Sequence, residues 1–197
     1  MGVLVFTDRH VRLIASIVLL LTLGKTVFNY HYFHVVDAEV SGTDRAASFF
    51  GTVYAVTNLT SAVLQFLVTT WVLRRLGARA GLTFLPTVLF AAIAALLLSP
   101  PLLLAAALNV AQQSVSYSIN QSSKELLYTP CAEAIKYRAK AVIDMFVFRL
   151  GDALAALLLL LLHTFLGLPT WTSLVAGCLC MVFWLVMVLR ADDPTAE

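Results

Sequence analysis

Charged residues are scarce in this sequence: only 12% of its 197 residues are Asp, Glu, Lys or Arg, and 60% are hydrophobic. A soluble domain carries about 25% charged and about 45–50% apolar residues, and disordered chains are more polar still. The composition excludes both classes and, with a mean hydropathy of +0.90, predicts an integral membrane protein in contact with the lipid bilayer. The net charge is only +2 and there is no basic run, so we expect no binding to nucleic acid.

Cysteine is equally scarce, and the three cysteines do not form a metal-binding pattern. Cys131 is isolated, whereas Cys178 and Cys180 are two residues apart, which directs their side chains to different sides of a helix. The sequence has no Ser–His–Asp arrangement and no carboxylate pair at a spacing that suits catalysis. We therefore expect no enzyme activity, no metal and no cofactor.

Long hydrophobic runs, in contrast, fill most of the chain. A membrane-spanning helix requires about 20 mostly apolar residues, and six segments meet this requirement. We predict an all-α membrane protein in which residues 1–197 form a single bundle of six transmembrane helices. These helices are expected at about 12–34, 46–73, 80–98, 102–122, 140–162 and 170–190.

The positive charges are distributed unevenly between the two sides that these spans define. One side carries ten Lys or Arg residues, whereas the other carries only Arg45. Positively charged loops favour the cytoplasmic side, so we expect both termini in the cytoplasm. The ten residues are Arg9, Arg12, Arg74, Arg75, Arg79, Lys124, Lys136, Arg138, Lys140 and Arg190.

Polar residues recur at helical spacing along helices 1, 2 and 4. A polar side chain is costly in lipid, so each stripe is expected to face protein or water. Two interpretations are open: the stripes line an aqueous cavity, or they form hydrogen bonds between helices. The stripes consist of Thr22, Lys25, Asn29 and Tyr32 in helix 1, Tyr54, Asn58, Ser61, Gln65 and Thr69 in helix 2, and Asn109, Gln113, Ser116, Asn120 and Ser123 in helix 4.

Helix 5 carries four ionisable residues. Lys140 and Asp144 are four residues apart, and Arg149 and Asp152 are three apart. Each pair can therefore form an ion pair on one face of the helix. The pairs either neutralise charge within the bundle, or they form a gate or substrate clamp that opens when the partners separate.

Small residues indicate where helices approach one another closely. Ala47, Gly51 and Ala55 share a face of helix 2, and Gly151 and Ala155 share a face of helix 5. Small residues let helix backbones come together in a membrane, so we expect close packing at both faces.

Two motifs around helices 4 and 5 are more specific than these patterns. Residues 118–130 read SINQSSKELLYTP and residues 136–144 read KYRAKAVID, and Arg149, Gly151 and Asp152 follow. This combination resembles the ATP/ADP translocase (nucleotide transporter) family, a branch within or close to the major facilitator superfamily. An earlier region is similar to bacterial members of the same group, through Phe49-Phe50-Gly51, Tyr54, Gln65 and the LRRLG of residues 73–77.

The resemblance covers most of the chain, and it implies a fold, a partner and a location. The chain corresponds to the carboxy-terminal half of a major-facilitator-type bundle, built as a three-plus-three inverted repeat with helices 1 and 4 lining the cavity. Alternating access then requires a second six-helix bundle. The chain is therefore half of a split transporter, a homodimer of halves or a truncated product, and its location is the bacterial inner membrane.

The residues and the resemblance together predict a transporter half that moves a small solute, anionic or nucleotide-like, by alternating access. The alternative is a non-transporting scaffold or sensor module derived from a transporter. For the transporter we expect substrate-binding roles for Lys25, Asn29, Asn109, Gln113, Ser116, Asn120 and Arg149. We expect gate or ion-pair roles for Lys124, Glu125, Lys140, Asp144 and Asp152.

Overall fold

A computed structural model describes residues 9–98, 101–129 and 133–190, and in these ranges it contains helices and turns but no strand. The all-helical class predicted from the sequence is therefore confirmed. Consecutive helical segments run on from one another, and we number the resulting helices α1 to α6. They are α1 (Arg9–Glu39), α2 (Thr43–Gly77), α3 (Ala80–Leu96), α4 (residues 102–127), α5 (residues 133–165) and α6 (Trp171–Arg190).

Most of these helices extend beyond the apolar runs that predicted them, because helical hydrogen bonding continues into the polar flanks. α1, for example, continues through Asp37 to Glu39, and α4 continues through Lys124 to residue 127. Pro130, the last residue of the first motif, and Cys131 lie outside the described residues.

Within the described ranges, four helices are long and apolar enough to cross a membrane, at Val11–Glu39, Thr43–Gly77, Lys136–Phe165 and Trp171–Leu189. α3 is shorter, and α4 carries many carboxamide and hydroxyl groups that reduce its hydropathy. The protein is therefore an integral membrane protein, as its composition predicts. The count of six membrane spans stays a prediction.

The helices pack in two similar groups of three. α1 packs against α5 and α6, α4 packs against α2 and α3, and α3 also packs against α6. The core includes the fully buried side chains Phe28, Leu85, Ile93 and Trp184. In their most apolar stretches, only 17% of α2 and 22% of α5 is buried, so these two helices present long exposed faces.

Gly151 brings α5 against α1, whereas Gly51 does not mediate a close contact. A Cβ atom at Gly151 would lie 2.8 Å from Thr22 Cβ and 3.3 Å from the carbonyl oxygen of Leu19. At Gly51 the same atom would have no neighbour within 4 Å among the described residues. Close packing at Gly151 is thus confirmed, whereas Gly51 lies on an exposed face of α2 with no close contact among the described residues, so the prediction there stays a prediction.

Three helices contain wider, π-helical turns. These turns lie at Leu64–Thr69 in α2, Ser116–Asn120 in α4, and Ile143–Val147 and Leu161–Phe165 in α5. A π turn holds one more residue than an α turn, so it offsets the faces of the helix on either side of it. Gly77, with φ of 79° and ψ of 172°, ends α2 in a conformation that favours glycine.

Buried polar contacts join three helices at the end of the bundle where α1 meets α2. His31 Nε2 lies 2.7 Å from Ser173 Oγ, and His163 Nε2 lies 3.0 Å from the same oxygen. The Tyr30 ring stacks on His163, with 5.8 Å between the ring centroids. This histidine network (His31, His163 and Ser173) connects α1, α5 and α6.

Candidate functional site

The polar stripes of α1, α2 and α4 meet at a cavity of about 220 Å³. Lys25 and Asn29 line it from α1, and Asn109 and Gln113 line it from α4. The structure therefore brings together four of the residues to which the sequence assigned substrate binding.

Lys25 is the cation that lines this cavity, and the described residues supply no other. Its Nζ donates a hydrogen bond to Ser116 Oγ at 3.2 Å and lies 5.5 Å from the centroid of the Tyr117 ring. The negative face of an aromatic ring attracts an ammonium group by about 0.5–2 kcal/mol. Ser116, another predicted binding residue, therefore acts on the cavity by holding Lys25.

The carboxamides of α4 form a small network beside Lys25. Asn109 Oδ1 accepts hydrogen bonds from Gln112 Nε2 and Gln113 Nε2, both at 3.1 Å. Asn109 is buried, and Gln113 is partly exposed to the cavity. The bond uses the amide nitrogen of Gln113, so its carbonyl oxygen, which accepts no hydrogen bond from the described residues, can accept one from a ligand.

Aromatic rings complete the cavity wall, and sequence reasoning gave none of them a binding role. Tyr54 and Tyr117 line the cavity with 51% and 56% of their surfaces exposed. Tyr32, Phe33 and Phe50 also line it. Tyr117 follows Gln113 by four residues, so an extension of the α4 stripe to aromatic residues would have found it.

Two predicted binding residues lie outside the cavity. The π turn at Ser116–Asn120 breaks the α4 stripe, and Asn120 is only 3% exposed. Beyond this turn the helix packs against α3, where a Cβ atom at Gly81 would contact the Ser123 side chain. Arg149 lies on the exposed surface of α5.

Asp152 does not pair with Arg149 in the described part of the chain, contrary to the sequence-based expectation. Its Oδ1 accepts a hydrogen bond from Thr26 Oγ1 at 2.8 Å. This bond places the carboxylate beside the residue that follows Lys25. The reason is the packing of α5, which brings Asp152 to α1 while Arg149 stays on the exposed side.

The charged residues at the opposite end of the bundle pair between helices rather than within α5. Lys124 Nζ lies 3.3 Å from Asp144 Oδ1, and Lys140 Nζ lies 2.6 Å from Glu125 Oε1. The predicted pairing of Lys140 with Asp144 is therefore wrong, because α4 supplies a closer partner to each. Four of the predicted gate residues nevertheless form one cluster between α4 and α5.

Charge reversal tests this cluster. Lys140→Glu places a third carboxylate beside Glu125 and Asp144, so we expect a lower unfolding midpoint. Adding Glu125→Lys should restore much of the loss, with a coupling of about 0.2–1 kcal/mol for pairs this exposed. Thermal unfolding of both single variants and the double variant measures the coupling. The control is Arg138→Glu, at an exposed residue that makes no ion pair in the described structure; a coupling of zero would contradict the pair.

Comparison with known proteins identifies the family. The family model described as TLC ATP/ADP transporter matches residues 3–192, which is nearly the whole chain. Comparison with the curated proteins and with the solved structures finds no match. The matched family consists of transporters rather than enzymes, in agreement with the motifs around α4 and α5. On this match, the chain belongs to the TLC ATP/ADP transporter family.

Proposed function

We propose that this chain is one bundle of a nucleotide transporter, and that it moves its solute by alternating access with a second bundle. The observation that carries the proposal is the cavity of about 220 Å³ at which Lys25, three carboxamides and several aromatic rings converge from α1, α2 and α4. A cation and hydrogen-bonding groups in a membrane-embedded cavity suit a polar, anionic solute. The family match supports a nucleotide as that solute.

The helix packing supports a three-plus-three repeat of the major-facilitator type. The contacts of α1 with α5 and α6 correspond to those of α4 with α2 and α3, if α1–α3 and α4–α6 are related halves. Transporters with inverted repeats place their binding sites where the repeats meet. On this proposal, residues 1–197 form a single six-helix bundle, and it corresponds to the carboxy-terminal half of such a transporter.

Exposed polar residues on the peripheral helices support a second bundle. Asn58 on α2 and Arg149 on α5 are both exposed and lie within helices apolar enough to span the membrane. Such side chains are costly against lipid, so they require protein or water next to them. The partner is a split second chain or a second copy of this one.

The distribution of Lys and Arg supports an orientation in the bacterial inner membrane with both termini in the cytoplasm. The end that holds the histidine network then faces outward. The cluster formed by Lys124, Glu125, Lys140 and Asp144 lies at the cytoplasmic end, where we assign it the role of a gate. These ion pairs would separate when the cavity opens to the cytoplasm.

The test combines nucleotide binding with exchange. Purified protein in lipid nanodiscs should unfold at a higher temperature with ATP or ADP, because a ligand that binds only the folded state stabilises it. In liposomes loaded with ADP, the protein should take up labelled ATP either as a dimer of this chain or after reconstitution with its partner chain, and its oligomeric state is measured alongside. Protein-free liposomes are the control. Binding without exchange would favour the scaffold or sensor, and neither binding nor exchange would contradict the proposal.

A further inference from the structure

Among the described residues that line the cavity, Lys25 carries the only charged side chain. Asp152 is not among the lining residues, but its carboxylate accepts a hydrogen bond from Thr26, the residue that follows Lys25. Lys25 Nζ is also occupied by Ser116 Oγ and by the Tyr117 ring. A nucleotide di- or triphosphate carries several negative charges, and a single lysine beside a carboxylate cannot compensate for them at membrane depth.

The remaining lining groups have the chemistry of a base-binding site. Asn and Gln side chains match the paired donor and acceptor of a purine edge, and Asn29 and Gln113 supply two such groups, with the buried Asn109 holding Gln113 in place. Nucleobases also stack on aromatic rings, and Tyr54 and Tyr117 each leave about half of their surface open. Base recognition needs hydrogen bonds and ring faces, and it needs no net charge.

The size of the cavity also favours a site for the base rather than for a whole nucleotide. At about 220 Å³, it is smaller than the roughly 300–1,000 Å³ of pockets that enclose a whole drug-sized ligand. Such a space suits one end of a nucleotide. A lining with one charged side chain among the described residues favours the base end over the phosphates.

We propose that this cavity binds the nucleobase of the transported nucleotide, and that the phosphates are held by cations outside it. The inference rests on the proposed function and specifies which part of the solute each surface takes. Tyr117 provides a stacking face, and Gln113 with Asn29 binds the edge of the base. The phosphates are then bound by the exposed Arg149 and by the partner bundle.

Three probes separate the two ends of the nucleotide: ATP, adenosine and inorganic tripolyphosphate, each titrated against the purified full chain in nanodiscs. Adenosine should bind, because the base site does not need the phosphates. Tyr117→Leu should weaken ATP and adenosine by the same factor, about tenfold, which is within the range measured for loss of one stacked base. Tyr117→Phe keeps the ring and should lose less.

Matched controls exclude a general effect of the substitutions. Tyr137→Leu removes an exposed tyrosine outside the cavity, and Gln65→Leu removes a glutamine that bonds to Ser122 rather than lining the cavity. Both should bind ATP and adenosine as the original chain does. Gln113→Leu should weaken adenosine and reduce any preference for ATP over GTP.

The outcomes distinguish this inference from the function on which it rests. If Tyr117→Leu and Gln113→Leu leave adenosine binding unchanged, or weaken tripolyphosphate as much as ATP, the base assignment is overturned while nucleotide binding stands. If the unmodified chain binds ATP but not adenosine, the base assignment is also overturned. If it binds none of the three probes and exchanges no nucleotide, the proposed function fails and the inference fails with it.

Discussion

Replacing Lys25 with alanine is expected to weaken ATP binding at least about tenfold, or about 1.4 kcal/mol. The substitution removes the cation that lines the cavity, while the Asp152 carboxylate stays bonded to Thr26, the residue that follows position 25. A negative charge that remains near the cavity repels every anionic solute. Isothermal titration of the chain in nanodiscs with ATP measures the change.

A second substitution shows how Lys25 acts. If its main role is to balance Asp152, then adding Asp152→Asn to Lys25→Ala should recover most of the lost affinity. If Lys25 instead binds a phosphate directly, the double variant should stay weak, and the base assignment above would be wrong. Lys136→Ala is the matched lysine control, since this residue lies in α5 near the opposite end and outside the cavity. Unchanged ATP affinity in Lys25→Ala would contradict any role for this lysine.

Gly151→Val is expected to destabilise the bundle more than any other substitution discussed above. The new side chain would overlap Thr22 and approach the backbone of Leu19, so α5 would have to move away from α1. Overpacking of this kind costs about 1–3 kcal/mol. The expected result is a clear fall in the unfolding midpoint and in the yield of monodisperse protein.

The chain provides its own control for this prediction. Gly51 is also a glycine within a membrane helix, but the space around its missing Cβ is open among the described residues. Gly51→Val should therefore leave the unfolding midpoint of the isolated chain nearly unchanged. Equal losses in the two variants would show that helical glycine, rather than contact with α1, determines the stability.

Much of the architecture follows from periodicity. Apolar runs located the helices because a helix in lipid must be apolar over most of its length. The polar stripes on helices 1 and 4 predicted that Lys25, Asn29, Asn109 and Gln113 face a common site, because residues three or four apart share a face of a helix. Those four residues line one cavity in the structure.

The same periodicity fails where the helix is irregular or where the partner lies on another helix. Asn120 continues the α4 stripe in sequence, but the π turn at Ser116–Asn120 shifts the phase of the helix and removes it from the cavity. No residue type marks such a turn reliably. The pairing of Lys140 with Glu125 depends on how α4 and α5 pack, and local spacing along α5 contains no information about α4.

Different kinds of interaction hold the helices together at the two ends of the bundle, so the two ends should respond differently to ionic strength. The histidine network is a set of hydrogen bonds around the buried His31 and Ser173. The contact between α4 and α5 consists of partly exposed ion pairs, whose attraction weakens as salt is added, because the screening length falls from about 8 Å at physiological concentration to about 3 Å at 1 M. Added salt is therefore expected to weaken the contact between α4 and α5 first and to leave the hydrogen bonds of the histidine network intact.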